Sequence, residues 1–394
     1  MLKKQLTVDI IICLIIIIFL EFFSLTLLDD SIKFLVLFAT GILLMVNYFI
    51  ALLIHKPIRK HPLDNLVLLF IFSMILSSFM AYIYWDQSFF SSLKDYRSFY
   101  IYFLYFFLVY LNVSSERIER IIILLFFLSL LIFLIDFITF PNPLFSWRDE
   151  ERRNGITMFF FGQGFTFLGA FYYLERFFYK KNIFHLIWFV LSFGCLFMLT
   201  QSRMNLLALG LGFFFILISS NLKRRYLSAI LLFIVAGIFF SSSNLFNGIK
   251  EATKDEAHFY KKDTRLLAQN YFLTELQGGV PTVLLGNGVP SEKSRLGLES
   301  INGEFYTSDV GLTGVFSYFG ILGVIIWILF FYSVFKVKNI QNSVYLKAYF
   351  ITLLTTAFTG FSIFDPGYMP ATILCLYLVR SKTSIDDSVK SLDD

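Results

Sequence analysis

The sequence predicts an all-α, polytopic integral membrane protein with about twelve transmembrane helices. The 394 residues are 57% hydrophobic and 15% charged, and their mean hydropathy is +0.72. A soluble fold has no interior large enough for so much apolar surface. Apolar runs of roughly twenty residues recur along the chain, which is the length of a helix that crosses a bilayer. A β-barrel is excluded, because stretches such as Ile10 to Leu20 are apolar on every face instead of alternating.

The predicted spans follow one another through short connections, except after the ninth. They cover residues 8–28, 32–54, 64–85, 98–113, 118–140, 155–178, 183–200, 204–221, 226–243, 307–335, 344–362 and 368–380. The last two are separated by Phe364-Asp365-Pro366-Gly367-Tyr368. Pro and Gly break a helix there, which predicts either an external turn or a re-entrant kink.

The orientation follows from the short basic clusters, which fall in alternate connections of the twelve-span arrangement and therefore predict the cytoplasmic face. These clusters are Lys3/Lys4, Lys56/Arg59/Lys60, Arg117/Arg120, Arg176/Lys180/Lys181, Lys223/Arg224/Arg225, Lys336/Lys338 and Arg380/Lys382. Both termini are then cytoplasmic. One missed helix would invert every later cluster, so the agreement supports the span count.

One long hydrophilic stretch, residues 244–306, lies between spans nine and ten and is predicted to face outward. The whole chain, residues 1–394, is otherwise a single transmembrane domain. Within the loop, Asp255 to Leu276 carries apolar residues at helical spacing, among them Phe259, Leu266, Leu267 and Tyr271. This pattern predicts a partly helical loop with an amphipathic helix on the membrane surface. Turns are predicted at Val280-Pro281 and at Gly286-Asn287-Gly288.

Four arginines project from the predicted spans and the loop to the outer side: Arg97, Arg153, Arg203 and Arg265. Arginines that converge on one cavity would suit an anionic substrate such as a lipid-linked pyrophosphate, because a guanidinium binds phosphate through paired hydrogen bonds. Each also has a structural interpretation. Arg203 and Arg97 can be interfacial anchors, Arg153 can belong to a surface salt-bridge cluster, and Arg265 can lie on a solvated basic face.

Two residues are candidates for proton transfer. Asp309 opens the predicted tenth span, where a carboxylate either caps the helix or acts as a general base toward a sugar hydroxyl. His258 in the loop titrates near neutral pH but can equally belong to a basic helix face. Glu21 and Asp136 fall inside predicted spans, near their outer ends, and allow either a proton relay or interfacial placement.

Several classes of function have no support in the residues. The three cysteines, Cys13, Cys195 and Cys375, lie in apolar runs without ligand spacing, so neither a disulfide framework nor a zinc site is predicted. No nucleotide-binding or metalloprotease motif occurs. The net charge of +5 is distributed in short clusters between spans, which argues against a nucleic-acid partner. We therefore predict no cofactor and no metal.

Six stretches together resemble the superfamily of O-antigen polymerases and O-antigen ligases, the glycosyltransferases of the bacterial envelope. Each stretch is short, but their order and their position around one large loop match the superfamily. They are Arg153-Asn154-Gly155, Gln201-Ser202-Arg203, Asp263-Thr264-Arg265, Leu285-Gly286-Asn287-Gly288, Ser308-Asp309-Val310-Gly311 and Tyr318-Phe319-Gly320-Ile321-Leu322-Gly323.

The resemblance implies a GT-C-type, metal-independent glycosyltransferase in the bacterial inner membrane, with its active site on the periplasmic side. Its donor would be a glycan linked to undecaprenyl pyrophosphate, and Arg203 and Arg265 would contact the pyrophosphate. Asp309 or His258 would activate the acceptor. Membrane lipids and a chain-length regulator protein are the further partners implied.

Within the superfamily, ligases place a histidine just before the helix that follows the large loop, whereas this chain reads Tyr306-Thr307-Ser308-Asp309 there. A Wzy-type polymerase is therefore favoured over a ligase that transfers glycan to lipid A-core. From another class, a polysaccharide flippase would also be polytopic. Transporters concentrate charged or broken helices at mid-membrane, whereas this chain concentrates its polarity outside.

Overall fold

The computed structural model describes residues 2–54, 61–139, 144–145, 152–153, 156–157, 162–200, 203–219, 264–292, 294–301, 305–337 and 343–393. This part of the chain is all-helical apart from two strands of two residues each. Four of its helices are long and apolar enough to cross a membrane: Asp30–Ile54, Pro62–Trp85, Ser115–Thr139 and Leu312–Lys336. Shorter apolar helices accompany them. The all-α class is confirmed for the described residues, and these apolar helices support the membrane character. The count of twelve spans remains a prediction, and its ninth span lies outside the described residues.

The helices are numbered here in chain order. They are α1 Leu2–Phe19, α2 Asp30–Ile54, α3 Pro62–Trp85, α4 Phe89–Asp95, α5 Tyr102–Leu111 after a 3-10 segment Arg97–Ile101, α6 Ser115–Thr139, α7 Gln163–Lys180, α8 Ile183–Thr200, α9 Arg203–Ser219, α10 Thr264–Asn270, α11 Val280–Leu285, α12 Arg295–Ile301, α13 Leu312–Lys336, α14 Val344–Thr356 and α15 Met369–Asp393. The strands β1 Arg152–Arg153 and β2 Ile156–Thr157 pair antiparallel.

The first predicted span ends too late. Helix α1 stops at Phe19, and the next turn, Glu21–Ser24, has positive φ at all four residues, between 49° and 58°. Left-handed backbone costs roughly 1–2 kcal/mol per residue for L-amino acids, so such a turn needs tertiary support. Part of that support is visible beyond it, where Thr26 donates its N–H to the carbonyl of Leu144 at 2.9 Å. Apolar composition alone gives no signal for such a turn.

Two other predicted spans begin too early. Span six is predicted to begin at residue 155, but Ile156–Thr157 is a strand and helix α7 starts at Gln163. Span ten is predicted to begin at residue 307, but Thr307–Asp309 is a 3-10 turn and α13 starts at Leu312 after Gly311. Gly311 has a φ of 59°, and a Cβ there would overlap the carbonyl oxygen of Ala357. The helix therefore starts where this close backbone contact allows it.

Ion pairs join the helices at one end of the bundle, which we call the basic end. Arg117 pairs with Asp9 at 2.7 Å, Arg380 with Asp64 at 2.8 Å and Lys382 with Glu119 at 2.7 Å, and Arg176 lies 3.6 Å from Glu119. The buried carboxylate of Glu175 accepts the backbone N–H groups of Val344 and Tyr345, the first residues of α14. These contacts bring three of the predicted basic clusters together at the basic end.

The opposite end, which carries the described part of the large loop, is the loop end. There α10 continues as a π-helical turn, Tyr271–Glu275, and buries Ala268, Phe272 and Leu276 against Ala81 and Trp85 of α3. Leu266 and Leu267 are exposed and do not take part in this packing, so an apolar face turned toward the membrane surface remains a prediction. The packed face includes Ala268, which a count of large apolar residues overlooks.

The loop then descends between α3 and α13. Asn287 donates its N–H to the Ser317 carbonyl at 2.8 Å, and Gly288 donates to the Tyr318 carbonyl at 3.1 Å. Ser317 lies in the second turn of α13, so this part of the loop reaches below the ends of the helices. The turn at 286–288 is confirmed by positive φ at both glycines, whereas Val280 and Pro281 begin helix α11 instead of a turn.

Helix α13 is broken where the loop meets it. Gly320 has a φ of 65° and a ψ of −163°, and a Cβ there would lie 2.5 Å from the backbone nitrogen of Gly286. A Cβ on Gly286 would in turn overlap the backbone of Tyr318 and Phe319. The two glycine motifs singled out in the sequence therefore pack backbone against backbone. The carbonyls freed by the break are satisfied by the loop, as burial in an apolar environment requires.

Candidate functional site at the loop end

Arg97 opens the 3-10 segment that leads into α5, at the loop end. Its guanidinium carbon lies 4.8 Å from the centre of the Phe34 ring, and the Lys94 Nζ lies 4.7 Å from the same ring. Aromatic faces attract cations at such distances. The Arg97 side chain keeps 31% of its surface exposed. Two positive charges are thus held side by side with access from outside the bundle.

Carboxylates surround this pair without neutralising it in close contacts. The Asp95 Oδ1 lies 3.8 Å from the Arg97 Nη1, and Glu21 interacts electrostatically with Arg97 and Lys33. Burial raises the pKa of Asp95, and a hydrogen bond from Ser291 and the charge of Arg97 oppose the shift. Within the described residues, the buried Asp95 Oδ2 has no hydrogen-bond partner. The Asp95 Oδ2 is therefore an acceptor for which a ligand hydroxyl could provide the hydrogen bond.

A layer of aromatic rings lies beneath Arg97 and extends to the turn between α14 and α15. The ring centres of Phe99 and Phe319 are 5.6 Å apart, those of Phe319 and Phe364 are 5.7 Å apart, and those of Phe99 and Phe364 are 6.5 Å apart. We call these three rings the aromatic layer. Phe99 follows Arg97 by two residues, and Phe364 directly precedes Asp365. The layer therefore brings Arg97 and Asp365 to the same region of the loop end.

Asp365 is held in a tight turn and is half-buried. Its Oδ1 accepts the N–H of Gly367 at 2.8 Å, and its carbonyl accepts those of Tyr368 and Met369, where α15 begins. Burial raises the pKa of Asp365 to about 6, and the hydrogen bond from Gly367 limits the shift. A carboxylate with a pKa near the working pH can both take up and release a proton, as a general base requires.

Polar groups from two further helices reach the same turn. The Tyr368 hydroxyl lies 3.0 Å from the Gln163 Oε1 and 3.3 Å from the Asn205 Oδ1, and it donates its proton to one of them at a time. Gly164 donates its N–H to the carbonyl of Gly367 at 3.1 Å. Asn205 follows Arg203 by two residues. The start of α9, at Arg203, thus lies beside the Asp365 turn.

The Leu285–Gly288 motif has a structural role. The Asn287 Oδ1 accepts the indole N–H of Trp85 at 2.9 Å, and its Nδ2 donates to the carbonyl of Leu276 at 2.8 Å. Gln87 makes similar contacts to Val289 and Ser291, at 2.9 Å each. These side chains hold the inserted loop against α3. The motif thereby fixes the wall of the site next to Asp95 and does not itself present a free polar group.

The structure describes the side chains of three of the predicted site residues, Arg97, Asp309 and Arg265. Arg97 lies in the site described above, while Asp309 and Arg265 are exposed at the loop end. The Asp309 Oδ1 accepts a hydrogen bond from Ser308 at 3.2 Å, and Gly311 stands at the N-cap of α13, so the capping role considered for Asp309 is wrong. His258 lies outside the described residues. Arg153 and Arg203 have described backbones, in β1 and at the start of α9, but their side chains lie outside the described part.

Sequence reasoning missed Asp95, Gln163 and Asp365 as site residues. Asp365 was noticed only as part of a helix break, and Gln163 only as one amide between two glycines. For Asp95 and Asp365 the available signal was an ionisable residue in a connection predicted to face outward and flanked by apolar spans. Asp136 accepts the N–H of Phe145 at 2.8 Å, and both of its interpretations, a proton relay and interfacial placement, stay predictions.

Among the described residues, no group of three or more His, Cys, Asp or Glu side chains is placed to hold a metal ion. The groups that the described part of the site offers to a ligand are Arg97, the carboxylates of Asp95 and Asp365 and the polar groups around Tyr368. Comparison with known proteins adds no relative, since no protein-family model and no curated protein matches this chain.

Proposed function

We propose that this protein is a polymerase of a bacterial surface polysaccharide, of the O-antigen polymerase type. It would transfer a growing glycan from undecaprenyl pyrophosphate to a hydroxyl of an incoming lipid-linked repeat unit. The loop end would face the periplasm and the basic end the cytoplasm, as the distribution of lysine and arginine favours. The chain would then be a multi-pass protein of the inner membrane with the GT-C-type arrangement.

The observation that carries the proposal is that Arg97 and Asp365, at the loop end, each lie within two residues of a ring of the aromatic layer. Glycosyl transfer from a lipid pyrophosphate needs positive charge for the leaving group and a base for the acceptor, close together at the membrane surface. Arg97 and Lys94 provide the charge, and Asp365 provides a carboxylate whose pKa of about 6 suits proton uptake near neutrality. The site lies at one end of a bundle of apolar helices, where a lipid-linked substrate would present its head group.

The reaction assigns each group a role. The acceptor oxygen attacks the anomeric carbon of the donor, its proton passes to the base, and the bond from that carbon to the pyrophosphate oxygen breaks. The pyrophosphate leaves with the carrier lipid. Arg97 would bind it, together with Arg153, Arg203 and Arg265 as the family resemblance suggests. Asp365 joins Asp309 and His258 as a candidate base, and among the described residues it has the more buried carboxyl group.

A transporter of lipid-linked glycans is the rival from another class, and the break in α13 at Gly320 is the observation that favours it. Transporters use unwound backbone near mid-membrane to bind ions or substrates. Here the carbonyls of Ser317 and Tyr318 are already occupied by the N–H groups of Asn287 and Gly288. The break therefore serves the docking of the loop, which supports an enzyme over a transporter.

Deletion of the gene in its own host separates these functions. A polymerase predicts lipopolysaccharide that carries a single repeat unit. A ligase predicts core without any repeat unit and polymer retained on the carrier lipid, whereas a flippase predicts repeat units trapped on the cytoplasmic face. An unaltered polysaccharide ladder would contradict the proposal. Complementation with Arg97→Ala, Arg203→Ala and Arg265→Ala variants, with membrane levels matched, then tests the arginines one by one.

A further inference from the structure

A lateral cavity of about 770 Å³ lies between α2 and α3 and is closed at the loop end by α4. Its lining is almost entirely apolar. On α3 it runs from Asn65 to Ser78, which is about 20 Å of helix. Leu68, Phe72 and Ile75 on this stretch are exposed, so the cavity opens sideways, toward the region that lipid would occupy. We call it the α2–α3 groove.

The few polar groups in the groove are mostly satisfied by the protein itself. The Tyr100 hydroxyl donates to the carbonyl of Leu93 at 2.6 Å, the Tyr96 hydroxyl is paired with Ser77 at 2.6 Å, and the Ser78 hydroxyl donates to the carbonyl of Met74 at 2.8 Å. Such a lining selects for a hydrocarbon chain, because a polar ligand would lose its hydrogen bonds to water without replacement.

The loop end of the groove is cationic. Leu93 and Tyr96 line the groove, and Lys94 and Arg97 directly follow them in the sequence. The Phe34 ring beneath both cations stacks on Phe38 at 6.2 Å, and Phe38 contacts the groove residue Tyr100 at 6.3 Å. An apolar channel that ends beneath two positive charges matches an amphiphile with a long hydrocarbon tail and a phosphate head.

The reach of the groove decides which amphiphile fits. Ser78 is about 10 Å of helix from the loop end of α3 at Trp85, so Asn65 is about 30 Å from it. The hydrocarbon core of a bilayer is about 30 Å thick, and the acyl chain of an outer phospholipid therefore covers only about 15 Å. A tail that fills the groove has to extend far beyond one leaflet. Leu52, near the last residue of α2, confirms that the lining reaches the basic end.

We propose that the α2–α3 groove binds the polyprenyl tail of a lipid-linked phosphate substrate, and that Lys94 and Arg97 bind its phosphate at the loop end. This assignment rests on the proposed function for its choice of a polyprenyl chain. It adds a binding site for the lipid tail and a role for α4, because Leu93 of this helix lines the groove and Lys94 would contact the phosphate. Bound there, the lipid would present its head group next to Asp95 and the aromatic layer.

The test uses the full-length protein in detergent micelles, titrated with undecaprenyl phosphate while complexes are counted by native mass spectrometry. Phosphatidylglycerol and farnesyl phosphate are titrated in parallel as a phospholipid and a short-chain isoprenoid. The expected order of affinity is undecaprenyl phosphate first, with the other two weaker by about tenfold or more. Equal binding of phosphatidylglycerol would overturn the assignment, because the groove would then be an ordinary lipid site.

Two variants locate the ligand. Ile75→Trp fills the groove and should weaken undecaprenyl phosphate about tenfold, whereas Leu131→Trp, on the exposed face of α6, should leave binding unchanged. Lys94→Ala should reduce the preference for undecaprenyl phosphate over the uncharged undecaprenol and leave undecaprenol binding unchanged. Unaltered binding in both Ile75→Trp and Lys94→Ala would place the lipid elsewhere. In that case a single-repeat phenotype in the deletion strain would still support the proposed polymerase function. Conversely, binding of undecaprenyl phosphate in the groove together with an unaltered polysaccharide ladder would contradict only the polymerase function.

Discussion

The charged side chains at the basic end and those at the loop end of this bundle have different kinds of partner. At the basic end, the Asp9, Asp64 and Glu119 carboxylates lie within 2.9 Å of a cationic nitrogen from another helix. At the loop end, the close ion pairs Lys33–Asp30 and Arg295–Glu299 each lie within one helix. Asp95 there lies 3.8 Å from Arg97, and Asp365 is held by the backbone N–H of Gly367. The first arrangement joins helices, whereas the second leaves charge available to a ligand.

The comparison shows why counting charges in a membrane protein does not locate a site. Both ends contain arginines and acids, and only their partners distinguish structural from available groups. A paired, half-buried charge loses much when its partner is removed, since the remaining charge stays desolvated. A charge held by weaker partners can exchange them for a substrate. The following predictions probe this difference, beginning with the largest expected effect.

Removal of a carboxylate at the basic end should destabilise the fold most. Asp64 accepts hydrogen bonds from Arg380 at 2.8 Å and from the Tyr105 hydroxyl at 2.7 Å. Asp64→Ala leaves both donors without this acceptor and should lower the free energy of unfolding by about 3–5 kcal/mol. Thermal unfolding in detergent measures it. Glu116→Ala, an exposed acid at the same end, is the matched control, and an equal shift in both variants would show that the pairing contributes nothing.

Removal of a carboxylate at the loop end should instead affect activity. Asp365→Asn keeps the acceptor for the N–H of Gly367 but cannot take up a proton near neutral pH. The rate of glycan transfer, measured by the release of undecaprenyl pyrophosphate, should fall about 100-fold or more. The unfolding temperature should change little. Asp29→Asn, at an exposed position of the loop end, should retain full activity. A larger loss in Asp309→Asn than in Asp365→Asn would assign the base to Asp309.

The pH profile tests the same carboxylate without a mutation. The pKa of Asp365 is raised from 3.8 to about 6, so the group is protonated below that pH and cannot act as a base. Activity of the wild type should therefore rise with pH up to about 6 and level off above it. In Asp365→Asn the residual activity should lack this rise. A wild-type profile that is flat between pH 5 and about 7 would contradict the assignment.

The smallest expected effect concerns the wall of the loop-end site. Asn287→Ala removes the acceptor for Trp85 and the donor to Leu276, and should cost about 1–2 kcal/mol, confined to the inserted loop. Faster hydrogen exchange over residues 276–289 measures this local opening. Asn270→Ala, an exposed position in the same loop, provides the control. Exchange that accelerates throughout the bundle would mean that the loop supports the fold globally.

Much of the fold could be predicted because lipid imposes a simple rule on the sequence. Helices α2, α3 and α6 lie within three residues of their predicted ends, since a membrane helix has to satisfy its own backbone and be apolar throughout. The errors fall where backbone meets backbone. The left-handed turn at Glu21–Ser24 and the close contact of Gly311 with Ala357 each depend on a partner distant in the sequence, whereas the short strands before α7 pair with each other.

The candidate site was harder to predict than the spans. Arg97 was selected from its position alone, and its contact with Phe34 agrees with a placement at the loop end. Asp365 is not distinguished by the sequence, because Asp-Pro-Gly is an ordinary turn sequence and only burial in the fold raises the pKa of its carboxyl group. The two glycine motifs, at 286–288 and 320, gave correct positions but no hint that they contact each other.

The sequence by itself determined that this is a membrane protein of apolar helices, because composition and the length of apolar runs decide the solvent before any contact forms. It also separated the helices from one long polar loop. Only the tertiary structure decided which charges are paired and which are available, and that the loop inserts between α3 and α13. The ion pairs of the basic end join residues as distant in the sequence as Asp64 and Arg380, and periodicity along one chain carries no information about such contacts.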